Sequence, residues 1–393
     1  MRADWEGPDE LRGQFLLDPA IAFLNHGSFG ACPRPVLARQ GEWRTRMERE
    51  PVDFLHRELP GLLAISRAAL AGELGCAPDE LAFQPNVTQA LNTVIRALPL
   101  EPGDEVLLGD HEYGALVRAW EAEATRRGLV LRRVALPWPD PASGAITAAF
   151  RAAGGARARV LFASHVCSST ALRLPVEELG ALARERGLLL VVDGAHAPGQ
   201  VPLDLASLGA EVYAGNCHKW LLAPKGCGFL QVPAGRQAWV EPLVTSWGNT
   251  NRPPEERHSP FLDELEWMGT TDPTAWLALP AALEFRRRWD WAERAARCRQ
   301  ALQEWGDALC GRLGLRRVNA PDPSLQMLAL ELPWPAEQAV ALHEALFRQD
   351  GVELPVLPFA GRCLLRVSLQ PYNRMDDLGR LERALSRRLA GAF

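Results

Sequence analysis

The chain has 393 residues, 47% of them hydrophobic and 23% charged, with a net charge of −5. That length exceeds one ordinary compact core, so a large domain with a smaller one is expected, and the composition excludes a disordered chain. With no basic block and no run of about 18 apolar residues, neither nucleic acid nor a membrane is an expected partner.

The opening MRADWEGPDELRGQ is acidic and polar and does not read as a signal peptide. FQPNVTQALNTVIRAL (83–98) reads as a loop entering an amphipathic helix, with Asn86 or Thr88 as N-cap. Short apolar runs then alternate with helical stretches. EVLLG (105–109), LVLRRVAL (129–136), RVLFASHV (159–166) and LLLVVDGAH (188–196) predict strands, and VYAGNCHKW (212–220) begins with another. GALVRAWEAEATRRG and PVEELGALARERG predict helices that end at Gly128 and Gly187. The alternation predicts an α/β domain with a mostly parallel sheet. The Pro- and charge-rich SWGNTNRPPEERHSP (246–260) predicts a loop or linker. From about residue 275 the chain turns helical. Strands follow near LQMLALELP and CLLRVSL, separated by the helical PAEQAVALHEALFRQDG, which suggests a smaller α+β domain.

Asp193 stands at the C-terminal end of an apolar strand, the edge where open α/β sheets bind ligands. A carboxylate there is a ligand contact or a helix N-cap, and His196 three residues on favours the contact. Lys219 lies one strand-helix-strand excursion further, and apolar residues bracket it. An activated lysine amine can form a Schiff base with a carbonyl cofactor. Pyridoxal phosphate (PLP) needs such a lysine, a carboxylate for its ring nitrogen, phosphate donors at a helix start and an aromatic neighbour. Asn86 to Thr88 offer the helix start, His111 and Tyr113 the aromatic, and His218 a further phosphate donor. No Walker loop, GxSxG elbow or metal-ligating histidine spacing competes, and no metal is expected. The eight cysteines form no CxxC pair and read as free thiols of a cytoplasmic protein.

Taken in order, FLNHGSFGACPRPV, PNVTQALN, DHEYGA, SHVCSSTALRLPVEEL, VVDGAHAPG, NCHKW, MGTTDPTAW and LLRVSLQPYN resemble the class V aminotransferase group of fold-type I PLP enzymes. The LNHGSFG and GTTDPTAW forms resemble its isopenicillin N epimerase-like branch. The resemblance implies an N-terminal segment (1–20) packed near the small domain. A large PLP-binding domain (21–270), its mostly parallel sheet sandwiched by helices, and a small C-terminal α+β domain (271–393) follow. It implies Lys219 as the Schiff-base lysine and Asp193 as the carboxylate on the pyridine nitrogen. His196 and Ser168 would meet the phenolic oxygen. Thr88, the Val87 backbone, His218 and Asn216 would hold the phosphate, and Tyr113 would stack on the ring, with His111 the alternative. Thr270 would reach the phosphate of a partner subunit, which implies a homodimer. Arg366 would bind a substrate carboxylate, with Asn25 and His26 near the substrate.

The implied activity is that of a PLP enzyme acting at Cα of a small-molecule amino-acid substrate, foremost an epimerase. Inversion needs a second acid opposite Lys219, and Tyr113 and His111 are both candidates. An aminotransferase or C–S/β-lyase would use the same residues. A cysteine desulfurase is disfavoured, because Cys363 sits three residues before Arg366 at a strand's start rather than on a mobile loop. A non-catalytic binding protein is disfavoured by the intact Lys219, Asp193 and His218.

Overall fold

The computed structural model describes residues 9–139, 141–142, 144–248 and 259–391. Residues 1–8 of the expected N-terminal segment and 249–258 of the expected linker lie outside them.

A seven-stranded sheet forms the larger body. Its strands are β1 (Leu81–Gln84), β2 (Glu105–Gly109), β3 (Val130–Val134), β4 (Ala158–Ser164), β5 (Leu189–Gly194), β6 (Val212–Asn216) and β7 (Gly228–Gln231), in the spatial order β1-β7-β6-β5-β4-β2-β3. β3, β2, β4, β5 and β6 are parallel, and β7 runs antiparallel between β6 and β1. The central strands are apolar throughout because both faces are covered. Leu107, Leu161, Ala163, Leu190 and Val192 face one core, whereas Val106, Leu108, Val160, Phe162 and Val191 face another. That is the two-residue period of a pleated strand buried on both sides.

The helices that matter for position are α1 (Val87–Ala97), α2 (Gly114–Arg127) and α3 (Val176–Arg186). Asn86 caps α1 by accepting from the Gln89 N–H at 2.9 Å. α2 and α3 end where Gly128 and Gly187 take positive φ, 69° and 63°, the left-handed cap that glycine adopts without strain.

A second core surrounds β8 (Met327–Pro335), β9 (Val356–Phe359) and β10 (Arg362–Ser368), which run antiparallel in the order β9-β10-β8, with the two-residue strand Arg316–Arg317 at the far edge. β1, β7 and β9 are four residues each, too short for periodicity to reveal. The early chain is stitched into this second region. Ala22–Phe23 pairs in parallel with Val352–Glu353, and the Ser368 N–H donates to the Leu24 carbonyl at 2.9 Å. This pairing delivers residues 25–28 beside Arg366. Among the described residues, no helix is long and apolar enough to cross a membrane.

Candidate active site

In the parallel part of the sheet, β3 lies outward of β2, while β5 and β6 lie outward of β4. The chain order therefore reverses between β2 and β4, and ligands bind at the C-terminal strand ends beside such a reversal. A cavity of about 400 Å³ opens there. Of the predicted residues, Val87, Thr88, Tyr113, Ser168, Asp193, His196, Asn216, His218 and Lys219 line it. A larger cavity of about 520 Å³ against residues 319–323 carries none of them.

Lys219 follows β6 in a tight turn. Its carbonyl accepts from the Leu222 N–H (3.1 Å), and His26 Nε2 lies 3.0 Å away. His26 Nδ1 accepts from the Tyr372 hydroxyl and the Ala31 N–H, so Nε2 carries the ring proton and donates to Lys219. Burial pushes His26 down to about 3, which keeps it neutral in this role. The structure thus puts His26 behind the lysine, with both nitrogens occupied, and not on the cavity wall. Gly30 (φ 68°) presses on the same turn. A Cβ there would lie 2.2 Å from the His218 carbonyl oxygen, so only glycine fits.

The Lys219 amine is buried and lies 3.1 Å from His196 Nε2. Burial first, then repulsion from Arg366, holds its pKa down from 10.5 to about 7, with Asp193 opposing. The amine is therefore substantially neutral near physiological pH, as a nucleophile and base must be. Lys219 and Lys225 are the only lysines among 43 basic residues. A chain that solubilises itself with arginine has not kept Lys219 for surface charge, and that count was a legible signal. Lys225 donates to the Gly30 carbonyl at 2.7 Å.

Asp193 ends β5, in register with Ala214 of β6 and Ser164 of β4. One carboxylate oxygen accepts from the Ala195 N–H at 2.9 Å. The other has no donor among the described residues. Burial raises the carboxyl to about 6, against the Ala195 hydrogen bond and the Lys219 charge. A carboxylate so placed lacks a cationic N–H partner. His196 Nδ1 is likewise buried and unpartnered.

At the start of α1 the Val87 N–H donates to Asn216 Oδ1 at 3.0 Å. The Val87 backbone, expected to face a phosphate, lines the cavity with its N–H already engaged. Its donor is consumed, and the bond leaves the Asn216 amide NH₂ unengaged instead. Thr88, with its N–H and hydroxyl, remains in the helix's first turn, where the dipole favours an anion. His218 Nδ1 lies 2.9 Å from the Cys227 carbonyl and must donate to it, which leaves Nε2 for the cavity. Burial lowers His218 to about 4, so Nε2 donates only when a neighbouring anion restores the imidazolium.

Arg366, on β10, lies directly behind the wall. It donates to the Ser168 carbonyl (2.6 Å) and hydroxyl (3.2 Å), the Ser28 hydroxyl (3.0 Å) and Asn25 Oδ1 (3.4 Å). Its Nε is buried without a partner, and no carboxylate pairs with it among the described residues. Burial lowers its pKa to about 10. A buried guanidinium lacking a counter-ion is costly unless a ligand supplies one. Asn25 braces it and donates in turn to Glu353 at 2.8 Å. Thr270 is exposed and away from the cavity. His111 is buried between Trp138 and Phe359, with Nδ1 3.2 Å from the Thr170 hydroxyl, and does not line the cavity.

Sequence reasoning missed Ser28, Ser164 and Glu112. Ser164 closes β4 at the same strand edge as Asp193, so the edge rule alone could have found it. It donates at 2.5 Å to Glu112, whose carboxyl burial raises to about 8. Ser28 is brought in by long-range pairing and has no local signal.

The residues fit PLP on their own chemistry: a buried neutral amine, an undonated carboxylate oxygen, an orphaned imidazole nitrogen and unspent donors at a helix start. The sequence matches the family described as Aminotransferase class-V over residues 45–381. It is 41% identical to an isopenicillin N epimerase of Streptomyces clavuligerus, over 98% of each chain. It is 42% identical to an isopenicillin N epimerase of Amycolatopsis lactamdurans, over 95% of this chain and 96% of that one. A solved variant of C-DES with glycine covalently linked to its PLP cofactor superimposes with a TM-score of 0.83 at 22% identity, over 96% of this chain and 99% of that one. The chain belongs to the class-V aminotransferase family and is a PLP-dependent enzyme.

Proposed function

We propose that the protein inverts Cα of an amino-acid substrate, as an epimerase of the isopenicillin N epimerase type. The observation that carries this reading is the neutral, buried Lys219 amine beside His196, one strand from Asp193 and within the field of the unpaired Arg366. The cofactor, when bound, supplies an electron sink that acidifies the Cα–H bond. Lys219 holds the cofactor and then, as a free amine, takes the Cα proton. Asp193 keeps a proton on the ring nitrogen. His196, and Ser168 beside it, serve the phenolic oxygen. Thr88, the Asn216 amide and His218 take the phosphate, while Arg366 takes the substrate carboxylate and Asn25 holds that arginine in place. Cys363 is buried on β10 opposite Leu332, with its thiol pushed up to about 11 by burial, so it offers no sulfur nucleophile.

To test the reading, the holoenzyme is incubated in deuterated water with isopenicillin N and a panel of L-α-amino acids. Deuterium at Cα together with inversion is the expected result. A keto acid as product would replace it with transamination, and release of a β-substituent would replace it with elimination.

Cofactor capture should follow Lys219 ionisation. The protonated amine is inert, so PLP uptake by the apoprotein should accelerate as pH rises through about 7 and level off above it. Uptake rates measured by absorbance between pH 5.5 and 9 check this. A profile that rises only near pH 10 would mean an unperturbed lysine.

We also propose a homodimer in which Thr270 reaches the partner's phosphate. Its exposure away from the cavity of its own chain supports this, as does the anchoring of the next turn by the Arg44–Asp272 ion pair at 2.8 Å. Thr270→Ala should weaken PLP binding by about tenfold, the worth of one hydrogen bond to a charged group. Light scattering should give twice the chain mass, and a monomer that binds PLP fully would remove the idea. The eight unpaired cysteines support the cytoplasm as its compartment.

A further inference from the structure

We infer that Tyr113 is the acid that protonates Cα from the face opposite Lys219. The inference rests on the epimerase reading and names the residue that inversion requires. Strand order separates the two groups. Lys219 leaves the end of β6, and Tyr113 follows the end of β2, with β5 and β4 between them. Asp193 and Ser164 are register partners on those two central strands. The cavity at Asp193 therefore has the Lys219 loop on one flank and the Tyr113 loop on the other.

Among the described cavity-wall residues on the β4–β2 flank, the other hydroxyls are committed. Ser164 donates to Glu112, and Ser168, whose oxygen accepts from Arg366, is held for the phenolic oxygen. The Tyr113 hydroxyl has no hydrogen-bond partner among the described residues. Its side chain is 47% exposed at the mouth, while its carbonyl holds the Leu116 and Val117 N–H groups at 2.9 and 3.0 Å. The backbone is thus fixed and the phenol is free. His196 and His218 are no alternatives, since both lie on the lysine's flank. His111 is none either, being sealed between two aromatic rings.

The proton count closes. Lys219 accepts the original Cα proton and becomes an ammonium. The Tyr113 O–H bond breaks as the new Cα–H bond forms on the other face, leaving a phenolate. Before product leaves, one proton passes from Lys219 to Tyr113 through solvent, which reaches Tyr113 directly, so Lys219 is a neutral amine again when product is released. The reverse reaction starts from the phenolate and runs the same steps backwards.

The test uses holoenzyme in deuterated water and the α-amino acid that wild type inverts. Tyr113→Phe keeps the ring, so PLP content and the visible absorption band should match wild type. Deuterium should still enter the unconverted L-substrate at within about threefold of the wild-type rate. Formation of the D-product should fall at least about 100-fold, the usual worth of a positioned acid. Inversion by Tyr113→Phe at the wild-type rate overturns the inference while leaving the epimerase reading intact. A wild type that exchanges deuterium without ever inverting overturns both. Loss of PLP from Tyr113→Phe with inversion surviving per bound cofactor would make the residue a stacking partner alone.

Discussion

Lys219→Ala is expected to abolish covalent cofactor attachment and to lower turnover by about 10⁴-fold or more. The residue serves twice, as the amine that captures the carbonyl and as the base at Cα, and a positioned base alone contributes about 10²–10⁴-fold. The variant should also show that the loss is chemical and not structural. The folded state rejects a proton that the unfolded lysine keeps, because the folded pKa is near 7 against a model value of 10.5. Between those values the unfolded chain binds more protons, so the lysine costs stability at pH 7 and the cost vanishes as pH climbs past 10.5. Apo Lys219→Ala should therefore melt no lower than apo wild type at pH 7, and any advantage should shrink toward pH 10. Melting curves at the two pH values measure it. A variant that unfolds at pH 7 would show that Lys219 holds the turn through packing.

Arg366→Ala should raise KM for the amino-acid substrate by about 100-fold, corresponding to roughly 3 kcal/mol for one partner of a desolvated charge pair. The fall in kcat should be smaller, because the guanidinium binds rather than reacts. Arg366→Lys should not rescue it. A lysine cannot make the four contacts that now fix the guanidinium between Ser168, Ser28 and Asn25, nor present a planar fork to a carboxylate. Steady-state kinetics on both variants decide the matter, and an unchanged KM would remove Arg366 from substrate binding.

The parallel strands were legible because their burial on both faces leaves continuous apolar runs, bounded by Gly128 and Gly187 where helices stop. Lys219, Asp193 and Thr88 were legible for a related reason: strand ends and helix starts are where local sequence alone fixes backbone direction. What local pattern cannot report is which distant side chain consumes a donor. The Val87 N–H looked available until Asn216, 129 positions away, was found to hold it. His26 looked like part of a substrate loop, yet Tyr372 and the Lys219 carbonyl hold its ring. His111 and Tyr113 are two residues apart and chemically equivalent candidates on paper. They differ in that the chain buries one against Trp138 and Phe359 and leaves the other at the mouth.

The most direct test of the central claim exploits the chain's two lysines. Holoenzyme is reduced with borohydride, digested and mapped by mass spectrometry. The account predicts a single pyridoxyl-phosphate adduct on Lys219, with Lys225 unmodified. An adduct on Lys225, or PLP released without any covalent mark, would contradict it.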